Sequence, residues 1–83
     1  MESELVARLM ACGFAKVRCL CSREVRVAQI RIRLAGDKPR SAEAITRLVC
    51  RVAIEMGCNV PPHGINCEVR RTLVRVAVVL DGL

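Results

Sequence analysis

The chain has 83 residues, of which 53% are apolar, and a formal charge of +6. This length allows one domain with a small core, and the apolar content, with a mean hydropathy of +0.35, excludes a disordered chain. The charge favours an anionic partner. Twelve of the 14 basic residues are Arg, which suits bidentate binding of phosphate or carboxylate, although a high-GC genome also enriches Arg.

The first predicted elements are a helix and a strand. Ser3 is placed to cap a helix that ends at Gly13. The apolar side of this helix comprises Leu5, Val6, Leu9, Met10 and Cys12, and Glu4 and Arg8 form an i,i+4 pair. From Ala15 to Cys21 the pattern changes to period two, with Val17, Cys19 and Cys21 alternating with Lys16, Arg18 and Leu20. This alternation predicts a strand, followed by a turn at Ser22 and Arg23.

A second, longer strand is predicted from Glu24 to Ala35. Its inward positions begin as Val25 and Val27 but continue as Ile30, Ile32 and Leu34. A shift of one residue would turn every later side chain to the other face of the sheet. We therefore expect a β-bulge near Ala28 and Gln29.

The second helix has the clearest pattern in the chain. After a turn at 36–39, Ser41 is a suitable N-cap for a helix that runs to Met56 and ends at Gly57. Its core-facing stripe is formed by Ile45, Leu48, Val49, Val52 and Met56. A polar ridge on the other side, which we interpret as solvated, contains Glu43, Arg47, Arg51 and Glu55.

Two more strands are expected after this helix. Between Cys58 and Cys67 we predict only a short edge strand, because Pro61 and Pro62 remove two hydrogen-bond donors and His63-Gly64 indicates a loop. The fourth strand starts near Glu68 and repeats the shift of the second strand. Its inward positions are Val69, then Val74, Val76, Val78 and Leu80.

The segments 24–37 and 68–81 share a pattern of apolar and charged positions 44 residues apart. Each reads Glu-Val-Arg, a spacer, two β-branched residues around an Arg, and then Asp. We interpret this as an internal duplication, with pseudo-repeats 1–39 and 45–83 in a single domain, 1–83. Two similar strands produced by an Arg- and Val-rich composition are the alternative.

The resulting fold class is α+β, with a helix-strand-strand unit used twice (αββαββ). Four strands are expected to form one antiparallel sheet with both helices on one face. In topology this order is similar to a ferredoxin-like βαββαβ domain circularly permuted so that its first strand comes last. That similarity implies that strands two and four are central and strands one and three are edges.

The Arg residues of the strands alternate with core positions, so we expect them to share the helix-free face. A cationic lattice of this kind matches phosphate spacing and predicts binding of a nucleic-acid backbone. Without exposed aromatic rings, base recognition by stacking is excluded. A solvated face that prevents aggregation is the alternative. The candidate nucleic-acid-binding residues are Arg18, Arg26, Arg31, Arg33, Arg70, Arg71 and Arg75, with Lys16 nearby.

A protein-protein role is the rival hypothesis. Leu73, Ala77 and Val79 make the second face of strand four apolar, and a strand that is apolar on both faces is typical of burial on both faces. A homodimer, an adaptor or a small inhibitor that docks on an acidic protein surface would cover these residues.

No catalytic, metal or cofactor site is predicted. The six Cys residues lack a Cys-x-x-Cys knuckle, and we interpret them as structural thiols, with a mixed zinc site of Cys19, Cys21, Cys58, His63 and Cys67 as the alternative. His63 has no readable catalytic partner. The acidic start, Met1 to Glu4, is unlike a signal peptide, and no apolar stretch is long enough to span a membrane. We therefore expect a soluble cytoplasmic protein with reduced thiols.

Overall fold

A computed structural model describes residues 2–22, 24, 26–36, 40–61 and 63–80. In chain order the elements are α1 (Glu2–Ala11), β1 (Lys16–Ser22), β2 (Val27–Arg33), α2 (Ala42–Glu55), β3 (Ile65–Arg70) and β4 (Leu73–Val79). The strands form one antiparallel sheet in the order β1-β2-β4-β3. The predicted α+β class, the αββαββ order and the central position of strands two and four are confirmed.

Both helices pack on the same face of the sheet. Leu5 and Leu9 of α1, with Ile45 and Val49 of α2, lie in one buried cluster with the inward residues of the strands. From the central strands that cluster receives Ala28, Ile30, Ile32, Val74, Val76 and Val78. The other face of the sheet is left without a covering helix.

The helix ends follow local sequence rules. Ser41 caps α2, because its hydroxyl accepts a hydrogen bond from the Ala44 amide at 3.1 Å. Gly13 and Gly57 follow the helices with φ of +96° and +83°, the left-handed region in which glycine costs least. In α1 the cap differs from the prediction, because the helix already includes Glu2 and Ser3 lies inside its first turn.

Arg40 lies just before the N-cap of α2 and contacts the residues that follow α1. Its guanidinium donates a hydrogen bond to the Cys12 carbonyl at 3.0 Å and lies 4.9 Å from the centre of the Phe14 ring. The contact satisfies a carbonyl that the helix end leaves open and adds a cation–π interaction. The only aromatic residue of the chain is thereby enclosed in the core.

The predicted β-bulge near Ala28 and Gln29 is wrong. Pairing between β1 and β2 is continuous from Ser22 and Val27 to Lys16 and Arg33. Within β2 the buried positions are Ala28, Ile30 and Ile32, so Val27, predicted to face inward, lies on the other side of the sheet. A reverse turn in which Arg26 adopts φ of +53° precedes Val27, and the strand itself has no parity shift that would need an extra residue. Val25, the first predicted inward position, lies outside the described residues.

The predicted start of the fourth strand is also wrong. Glu68, Val69 and Arg70 belong to β3, and a two-residue turn at Arg71 and Thr72 separates them from Leu73. Arg71 has φ of +53°, as Arg26 does before β2. The third strand is nevertheless a sheet edge, as predicted. The Asp residues that close the duplicated pattern, Asp37 and Asp81, lie outside the described residues, and the duplication stays a prediction.

Candidate nucleic-acid interface

The helix-free face of the sheet, called here the open face, carries a row of three opposed arginines. Arg18 pairs with Arg31 across β1 and β2, and Arg31 pairs with Arg75 across β2 and β4. Glu68 of β3 pairs with Arg75 and ends the row. All four residues are exposed. Since strands lie about 4.8 Å apart, the row from Arg18 to Arg75 spans about 10 Å of backbone.

A second row lies about 7 Å further along the strands. Lys16 pairs with Arg33, Arg33 with Leu73, and Leu73 with Arg70. Between the two rows is an open groove of about 270 Å³ that exposes Lys16, Arg18, Arg31, Arg33, Leu73 and Arg75. We call the basic residues of the two rows the cationic half of the open face: Lys16, Arg18, Arg31, Arg33, Arg70 and Arg75.

Acidic residues neutralise little of the cationic half. Glu68 binds Arg70 through a contact of 2.6 Å between Oε1 and Nε, but Arg70 is 83% exposed, so this pair is largely screened by water. Within the described part of the chain, no carboxylate forms a salt bridge with the other five basic residues. Directly opposed like charges destabilise a sheet by up to about 1 kcal/mol per pair. Binding of an external anion would therefore reduce the repulsion between the opposed arginines of the row.

Two predicted arginines lie in turns and not on strands. Arg71 is exposed in the turn between β3 and β4, next to Arg70 and so beside the second row. Arg26 is exposed in the turn before β2, about 16 Å along the strand from Arg31. The structure thus brings Arg18, Arg31, Arg33, Arg70, Arg71 and Arg75 to one end of the sheet and places Arg26 at the other end.

The remaining part of the open face is uncharged, and we call it the neutral half. Its first row pairs Leu20 with Gln29, Gln29 with Ala77, and Ala77 with Asn66. Its second pairs Val27 with Val79, both half-buried. Leu20 is 67% exposed and was missing from the predicted interface, although its outward position follows from the alternation with Cys19 and Cys21.

The three predicted interface residues are not contiguous. Ala77 and Val79 lie in the neutral half, whereas Leu73 lies in the second cationic row between Arg33 and Arg70. Arg75 separates Leu73 from Ala77 along β4. The apolar surface of β4 is therefore divided by charge.

The thiols face the core side of the sheet or the helices. The Cys19 and Cys21 sulfurs lie 3.8 Å apart on β1. Burial raises the pKa of the Cys50 thiol, and it also raises that of Cys67, against a smaller lowering by a hydrogen bond with Thr46. A raised pKa makes a thiol a weaker nucleophile at neutral pH. The described residues contain no group of three or more His, Cys, Asp or Glu side chains placed to hold a metal ion.

Among the described residues, neither α1 nor α2 combines the length and apolar character that a membrane-crossing helix requires. No protein-family model, curated protein or solved structure matches this chain.

Proposed function

We propose that this domain binds the phosphate backbone of nucleic acids on the cationic half of its open face, without base specificity. The observation that carries the proposal is the strand register, which aligns Arg18, Arg31 and Arg75 as direct neighbours. An arginine fork matches phosphate oxygens bidentately. A bound phosphate also removes the repulsion between opposed arginines, so binding and relief of repulsion act together.

Two features support backbone binding over base recognition. The chain has no Tyr or Trp, and Phe14 is only 5% exposed, so no Phe, Tyr or Trp ring is available for stacking on bases. The groove is open and is lined by residues of three strands, β1, β2 and β4, which suits a contact with an extended polyanion. Binding of this kind requires no catalytic residue, metal or cofactor, and a chain with six Cys residues and no Cys-x-x-Cys motif suits a reducing, cytoplasmic setting.

Salt-dependent binding tests this proposal. The affinity for mixed-sequence DNA or RNA, measured by fluorescence anisotropy, is expected to fall steeply with salt, because each neutralised phosphate releases counterions. The double substitution Arg31→Ala and Arg75→Ala removes two contacts. It should reduce the slope of log K against log salt by up to about 1.8 on a duplex, at about 0.9 per contact.

The matched control removes the same charge from the opposite side of the molecule. Arg47 and Arg51 are exposed on α2, whose buried face packs against the sheet. Their double substitution to Ala should change the slope little. Equal losses in both double variants, with circular dichroism showing that both are folded, would indicate binding by net charge alone. An absence of binding at low salt would refute the proposal.

A second candidate function is assembly through the neutral half. The observation that favours it is the exposed Leu20 beside Ala77 and Val79, which a second copy or a protein partner would cover. In this candidate the cationic half lies at the rim of the contact or meets an acidic protein surface. A stable dimer that does not bind nucleic acid at low salt would favour assembly.

A further inference from the structure

We propose that the natural ligand of the cationic half is double-stranded nucleic acid and not a single strand. This inference rests on the proposed function and specifies its partner. Its basis is what the open face offers to a polyanion and what it lacks. The face offers six closely spaced cations in two rows and, in the part of it that the structure describes, no aromatic surface.

A single strand gains little on such a face. Proteins that hold single strands obtain about 1 to 3 kcal/mol per base from stacking on aromatic side chains. Here the one aromatic ring of the chain is in the core, with the Arg40 guanidinium 4.9 Å from its centre. A flexible single strand must also lose conformational freedom when it is ordered along the rows. Electrostatic attraction and stacking of bases on arginine guanidiniums, without aromatic platforms, remain to offset that loss.

A duplex loses less conformational freedom than a single strand when it binds this face, and its charge is denser. It carries one charge per about 1.7 Å of its axis and is already stiff, with its bases stacked internally. The cationic half extends about 14 Å across four strands in its second row, from Lys16 to Arg70. Across that distance a duplex presents several phosphates at once. A face that offers dense positive charge and no aromatic platform therefore favours the duplex.

The amide side chains of the neutral half suit contacts with the groove edges of a nucleic-acid duplex. Gln29 and Asn66 project from the open face on either side of Ala77, in the row next to the three arginines. An amide side chain both donates and accepts hydrogen bonds, as contacts with sugars and groove edges require.

The test compares one sequence in two forms. A mixed-sequence oligonucleotide of about two helical turns, without self-complementarity, is titrated with the full chain as a single strand and as its duplex, at several salt concentrations. We expect the duplex to bind at least about 10-fold more tightly at equal phosphate concentration. We also expect a steeper salt dependence, because each contact contributes about 0.9 on a duplex and about 0.7 on a single strand.

The possible failures are distinguishable. Equal or tighter binding of the single strand, lost in the Arg31→Ala and Arg75→Ala double variant, overturns the duplex preference and leaves the proposed function standing. No binding of either form at low salt overturns both. Tighter binding of the duplex that persists unchanged in the double variant places the duplex on another surface, and it also overturns the inference.

Discussion

Glu68 is the carboxylate that limits the charge of the open face. It lies opposite Arg75 in the first row and contacts Arg70 two residues away on β3. No other acidic side chain projects from this face in the described strands. Because the Arg70 pair is exposed, it contributes little to stability. In the proposed function its main effect is to hold Arg70 away from a phosphate and to repel that phosphate.

Replacing Glu68 by Gln should therefore strengthen binding. The substitution Glu68→Gln keeps the shape of the side chain and removes its charge, so we expect about 3- to 10-fold higher affinity at low salt, with the gain shrinking as salt screens the face. Fluorescence-anisotropy titrations at low and high salt measure this change in affinity. Glu43→Gln is the matched control, because Glu43 is exposed in the first turn of α2. An equal gain in both variants would contradict a local role for Glu68.

At the level of elements, β2 and β4 combine two conflicting roles. Their inner faces supply the buried Ile30, Ile32, Val74 and Val76, whereas their outer faces oppose Arg31 and Arg75 directly. The core is stabilised by burial of about 25 cal/mol per Å² of apolar surface, and it tolerates a pair of like charges that weakens the sheet by up to about 1 kcal/mol. A loss of folding stability of this kind is typical of surfaces that serve a function.

Removal of the central arginine should stabilise the free protein. For Arg31→Thr we expect the free energy of unfolding at low salt to rise by about 0.5 to 1 kcal/mol, because the variant loses repulsion from Arg18 and Arg75. Urea denaturation at low and high salt measures the change, which should shrink as salt screens the wild-type repulsion. Gln29→Thr, on the same face of β2, controls for the strand preference of Thr. An equal rise in both variants would show that the arginines do not repel each other significantly.

At the level of the whole molecule, charge and apolar surface are divided between the two ends of the open face. Leu20, Ala77 and Val79 occupy one end, and the basic rows occupy the other, with Leu73 enclosed among arginines. A self-association site needs a contiguous apolar patch larger than a few hundred Å². The division by Arg75 leaves the smaller patch of the neutral half, on the face of the sheet that carries no helix.

We expect the free protein to be monomeric, with a mass of 9.1 kDa, across a wide concentration range. The reason is that isolated apolar residues beside charged rows do not offset the cost of association. Light scattering coupled to size exclusion measures the mass. A dimer that dissociates on Leu20→Ser, but not on Leu73→Ser, would instead support assembly through the neutral half.

Much of the architecture could be predicted from local patterns. Ser41, Gly13 and Gly57 marked helix boundaries, and the alternation around Val17 and around Ile32 marked strands with one face inward. Strand ends were less predictable. One continuous strand was predicted from Glu24 and another from Glu68, yet Arg26 adopts a left-handed conformation in a turn before β2, and β3 ends at Arg70 before a turn in which Arg71 is left-handed.

The sequence by itself determined the fold class, the order of the elements along the chain and the outward direction of the strand arginines, because periodicity and turn residues are local properties of the chain. The central position of strands two and four was implied by the topological similarity to a ferredoxin-like domain. Only the tertiary structure decided which arginines are neighbours. Register is a relation between distant segments, set by packing of the inner face. It places Arg18, Arg31 and Arg75 in one row, moves Arg26 to the far end, and separates Leu73 from Ala77. The proposed binding surface is a consequence of that register.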